Sequence, residues 1–97
     1  MDARVTPAAF ADLEDIDDYV TENFGPYRAS ETRRELFETF ERLAVHPYMG
    51  RARPRVAATP VRFFHLKPYW IVYEPGTPLV IHRVYHSARD LNRLSFK

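Results

Sequence analysis

Apolar and polar positions follow two distinct rhythms along this chain. From Pro7 to Phe24, Phe10, Leu13, Val20 and Phe24, with Ile16 or Asp17 between them, recur at steps of three and four. Asp12, Glu14, Asp15, Asp18 and Glu22 fill the other faces. That period predicts an amphipathic helix with an acidic outer surface. Thr6-Pro7 supplies a hydroxyl N-cap and a proline at the first helical position. Gly25 is the expected C-cap, and Pro26 blocks continuation. A second helix is predicted from Pro26 to Val45, with Ala29, Leu36, Phe40 and Leu43 as its stripe, widened by Phe37 and Ala44. Glu38 and Arg42 form a favourable i,i+4 pair on its outside. His46-Pro47 ends it, because proline disfavours a helical residue before itself. The break between the helices is about two residues, so they pack as an antiparallel hairpin.

The second half changes to a strand rhythm. Val61 to Leu66 is rich in β-formers, and Lys67-Pro68 is a tight turn. Tyr69 to Tyr73 is an unbroken apolar run, the mark of a central strand covered on both faces. After a turn at 74–78, Leu79 to His86 forms the longest strand, with Leu79, Ile81, Arg83 and Tyr85 on one face and Val80, His82, Val84 and His86 on the other. Residues 1–6 read as a brief strand around Val5. Residues 47–60, with three prolines and three arginines, read as a loop with room for a short extended piece. Its ~14 residues are long for a small domain, and long loops tend to carry function. Ser87 can cap a short final helix.

The order β-α-α-β-β-β implies an α+β fold of two layers, in which an antiparallel sheet is covered on one face by the helix hairpin. Strand directions, counted through that order, make the first strand antiparallel to the last. The other face is expected to be only partly covered, to carry aromatic and basic side chains, and to be open to a partner.

With 97 residues, the chain supplies core for one domain, 1–97. Cysteine is absent, which excludes disulfides, thiolate metal sites and a thiol nucleophile. The early acid and the lack of a long apolar run argue against a signal peptide or membrane span, so a cytoplasmic protein is expected. The net charge of +1 conceals a split: residues 1–50 sum to −6 and residues 51–97 to +7. A basic second half of this kind suits an acidic or polyanionic partner, or acidic helices lying beside a basic sheet.

Four blocks carry a family likeness. Phe40-Glu41-Arg42-Leu43-Ala44 leads into His46-Pro47-Tyr48-Met49-Gly50-Arg51; Arg62 opens the sheet; Ile71-Val72-Tyr73 stands in the central strand; and Arg83-Val84-Tyr85-His86-Ser87-Ala88-Arg89-Asp90 closes the last strand and runs past it. Together, in this order and covering nearly the whole chain, they resemble the ParE branch of the RelE/ParE toxin superfamily of type II toxin–antitoxin modules. The resemblance implies the fold above, a toxin neutralised by a cognate antitoxin with an acidic, apolar C-terminal segment, and DNA gyrase as target. RelE-like members instead cut mRNA on the ribosome. For that activity the matching residues here are Arg62, Arg83 and His86: arginines to hold the phosphate and a histidine to move a proton. The set is partial, since the 47–59 loop lacks Lys and Glu, and residues 94–97 lack the usual Tyr or Lys pair. The remaining alternative is a non-toxic module kept for complex formation.

The target- or antitoxin-binding candidates are Arg51, Arg53, Arg55, Arg62, Arg83, His86, Arg89 and Arg93. Four of them have a plainer reading. Arg51 can pair with a helix acid, Arg53 and Arg55 can be solvated, and Arg62 can pair with a helix carboxylate or hold an anion. Trp70, Tyr73 and Tyr85 are expected in the core. Gly50 is expected at a backbone angle other residues avoid, with Met49 plugging the helix–sheet seam. The acids of the first helix have the spacing of a solvated face. The four histidines lack metal-ligand spacing; neither metal nor cofactor is expected.

Overall fold

In the computed structural model, which describes residues 3–53 and 60–87, the two helices fall where the periodicity places them. Strand β1 spans Ala3–Val5, helix α1 Pro7–Phe24 and helix α2 Pro26–Val45; strands β2 (Arg51–Ala52), β3 (Arg62–Leu66), β4 (Tyr69–Glu74) and β5 (Leu79–His86) follow. The Thr6 hydroxyl accepts the Ala9 N–H at 3.1 Å, closing the start of α1. That hydroxyl also donates to the His82 carbonyl at 3.0 Å, which fastens the helix start to β5. Thr6→Ala removes both bonds and is expected to cost about 1–2 kcal/mol, read as a lower urea midpoint. Gly25 alone joins the helices, at φ +91°, a left-handed angle that suits glycine.

The sheet order is β1-β5-β4-β3-β2. Strands β2 to β5 are antiparallel neighbours, and short turns require this for β3, β4 and β5. β1, however, pairs with β5 in parallel, with Ala3 opposite Leu79 and Val5 opposite Ile81. This corrects the expected opposite direction, and the reason is parity. The two-residue β2, lying where the sequence shows mainly a loop, adds one reversal before β3 and flips every later strand. The sheet is therefore mixed.

The helices cover one face. Ala9, Leu36, Phe40 and Leu43 meet Tyr69, Ile71, Tyr73, Leu79, Ile81 and Val84 in the main core. The stripe of α1 runs through Ala9, Leu13, Ile16 and Val20 rather than Phe10 and Phe24, which are exposed. On α2, Glu38 pairs with Arg34, not Arg42, whose guanidinium donates to Thr39. The other face is less open than expected, because Val61, Phe63, Val72 and Tyr85 form a second buried cluster with Trp70 against it.

A register shift in β4–β5 explains which β5 residues go where. Tyr73 faces Ile81, yet Val72 faces Arg83, so His82 is the extra residue of a bulge. Strict alternation breaks there. Leu79, Ile81 and Val84 join the helix-side core, while Tyr85 joins the second cluster.

Candidate interaction surfaces

Arg83 sits in the middle of a mostly apolar strand, and a charge there needs a partner. It finds Asp12 on α1. Arg83 Nε donates to Asp12 Oδ2 at 2.7 Å and Nη2 to Oδ1 at 2.9 Å, a bidentate pair. The Val84 backbone N–H adds a third bond to Oδ2 at 2.9 Å. The Arg83 guanidinium also lies 4.7 Å over the Tyr85 ring. Its pKa is raised, first by the bond to Asp12. Asp12 therefore does not belong to a solvated acidic face, as the sequence suggests; it ties helix to sheet.

Arg62 takes a different role. Its Nε donates to the Gly50 carbonyl at 2.8 Å, and its guanidinium lies 5.1 Å over the Tyr48 ring. The Tyr73 hydroxyl receives the Gly50 N–H at 2.8 Å and donates to the Pro47 carbonyl at 2.7 Å. Burial raises the Tyr73 pKa, so the hydroxyl keeps its donor proton at neutral pH. Together these bonds fold the 47–51 turn onto the sheet. Gly50 is there because of close approach: a Cβ would stand 2.6 Å from the Tyr73 hydroxyl oxygen. Its φ is not in the left-handed region, so the expected special angle gives way to a steric reason. Met49 is 41% exposed and does not plug the seam.

The second face has a basic rim around its buried centre. Arg51, opposite Phe63, and Arg53 are exposed there. Arg53 lies 4.8 Å over Trp70, whose ring also stacks with His65 at 4.5 Å. Glu74 faces His82 at 3.1 Å nearby. Arg55, Arg89, Arg93 and the expected final helix beyond Ser87 lie outside the described residues.

His86, exposed and edge-on to Tyr69 at 6.0 Å, is far from Arg62. Arg62 is registered with Tyr73 and His86 with Tyr69, on opposite sides of β4. That separates them by roughly 13 Å along the strands and about 10 Å across them. The three residues suited to RNA cleavage therefore do not converge. Arg62 is bonded to a carbonyl, Arg83 to a carboxylate, and His86 stands at the other end.

No helix among the described residues is long and apolar enough to cross a membrane. Among them, no cluster of three His, Asp or Glu side chains could hold a metal.

Comparisons with known proteins agree with the fold. Residues 3–91 match the family model for the ParE toxin of type II toxin–antitoxin system, parDE. Toxin ParE1 of Caulobacter vibrioides is 33% identical over 87 residues, 90% of each chain. A solved chain of the chromosomal ParDE toxin–antitoxin system from P. aeruginosa superposes with a TM-score of 0.72 at 27% identity, over 89% of this chain and 95% of that one.

Proposed function

Because the chain belongs to the ParE toxin family of type II toxin–antitoxin systems, we propose that it acts by binding rather than by cutting. It poisons DNA gyrase and is silenced by a cognate antitoxin whose acidic, apolar C-terminal segment folds onto the basic rim and the helix hairpin. One observation carries the choice between binding and cutting: Arg62, Arg83 and His86 are held apart, each with its own neighbour. A phosphoryl-transfer site needs such groups within hydrogen-bond reach of one phosphate. The exposed Arg51 and Arg53 supply the positive charge that an acidic segment would meet. The antitoxin reading is supported by the two-component system of the structural relative.

The test is expression of the chain alone and together with its neighbouring open reading frame, followed by assays on the purified protein. Growth arrest relieved by the neighbour, with gyrase supercoiling inhibited and ribosome-bound mRNA uncut, is the expected outcome. Ribosome-dependent cleavage that disappears in His86→Gln or Arg62→Ala would make the protein a nuclease instead. Absence of growth arrest would make it a non-toxic interaction module.

A further inference from the structure

A cleft of about 420 Å³ opens between α1 and the far end of β5, on neither the basic rim nor the 47–51 turn. Its apolar walls are Ile16 and Val84; Tyr19, Tyr69 and Tyr85 add ring surface, His86 closes the β5 end, and Asp12 and Asp15 bring the carboxylates. Asp12 is already engaged by Arg83 and the Val84 N–H. Asp15, three residues further along α1 and exposed, makes no ion pair among the described residues. Burial raises the Tyr69 pKa, so its hydroxyl is neutral beside the cleft.

The protein shows in its own structure what such a place accepts. Arg83 lies 4.7 Å over the Tyr85 ring of β5 while its fork grips an α1 carboxylate. About one helical turn on, the cleft offers the same combination at Asp15, a carboxylate with tyrosine rings beside it, and among the described residues no arginine pairs with that carboxylate. Arg28, near enough to lower the Tyr69 pKa, forms no ion pair with Asp15. We infer that the cleft receives an arginine side chain presented by an extended segment of a partner protein. Arginine fits better than lysine, because a planar guanidinium can lie on a tyrosine ring and pair with a carboxylate together. An extended presentation suits the place: past β1 and the His82 and Val84 backbone groups held by Thr6 and Asp12, β5 runs on to His86 along the cleft. A segment can therefore lie there and present one side chain without adding a strand at 82–84. The charge required is opposite to that of the acidic segment assigned to the basic rim, so the two surfaces read different parts of their partners and fail independently.

The probes are the capped tripeptide Val-Arg-Val, its citrulline counterpart, which keeps the shape and loses the charge, and its glutamate counterpart. Each is titrated into the isotope-labelled full chain and followed by amide chemical shifts. The arginine peptide is expected to move the amides of Asp15, Ile16, Tyr19 and Val84 and the other two to leave them in place. Asp15→Asn should weaken the arginine peptide about tenfold. Asp18→Asn, the same charge change off the cleft, should leave it within about twofold. Equal binding of the citrulline peptide, shifts centred on Asp18 and Glu22, or an unaltered affinity in Asp15→Asn would each overturn the assignment.

Discussion

Gly50→Ala is expected to lower folding stability by about 2–4 kcal/mol, seen as a fall in the urea midpoint without a change in slope. An added Cβ would stand 2.6 Å from the Tyr73 hydroxyl oxygen, 2.7 Å from Tyr73 Cε1 and 2.8 Å from the Phe63 carbonyl oxygen. None of the three can step aside cheaply. Tyr73 is completely buried and bonded at its hydroxyl to Gly50 and Pro47, and the Phe63 oxygen is backbone. Tyr73→Phe alone should cost about 1–3 kcal/mol, because the Gly50 N–H and the Pro47 carbonyl each lose a partner. The double variant should cost less than the two single costs together, since deleting the hydroxyl also deletes the nearest clash. Strict additivity would mean that turn and tyrosine do not share this contact.

Asp12→Ala is expected to cost about 3 kcal/mol, while Asp17→Ala costs under about 1 kcal/mol. Both aspartates lie on α1 and each meets an arginine, so the pair isolates what surroundings contribute. Asp17 meets Arg33 where both side chains are well exposed, and water screens them. The Asp12 side chain is only 13% exposed and receives three hydrogen bonds from Arg83 and Val84. Its loss leaves a partly buried guanidinium and a backbone N–H without their acceptor. Chemical denaturation of both variants checks the difference; equal costs would show that the clasp is no stronger than a surface pair.

Local signals carried a large part of this fold. Thr6-Pro7, Gly25-Pro26 and His46-Pro47 mark helix ends by backbone chemistry that acts within a few residues, and the helices end there. The apolar run of β4 likewise betrays burial on both sides, and Ile71, Val72 and Tyr73 are all inaccessible. What the sequence hid depends on contacts distant in the chain. Arg51-Ala52 has no strand pattern of its own, and it pairs because β3 offers an edge. From that omission came the wrong direction for β1. The bulge at His82 leaves no trace in composition, so the faces assigned to Arg83, Val84 and Tyr85 were lost with it. For the surfaces, the sequence leaves Arg62 open between a helix carboxylate and an anion site, and the structure bonds it to the Gly50 carbonyl over the Tyr48 ring. A charge inside an apolar strand was the right signal, and Arg83, rather than Arg62, proved to be the one answered by α1. Arg51 and Arg53 do reach the second face, as their alternation suggests for an extended segment.

The brevity of the two outermost strands has a consequence for behaviour in concentrated solution. Among the described residues β1 offers three residues and β2 only two, so neither of these two strands presents a ladder long enough to template another sheet. The longer β5 is shielded past β1 by side chains instead: the Thr6 hydroxyl takes the His82 carbonyl and the Asp12 carboxylate the Val84 amide. Two polar side chains thus act as a surrogate strand. Removing them would bare a stretch of backbone able to recruit copies of the protein into fibrils or inclusion bodies, a hazard separate from any loss of folding energy.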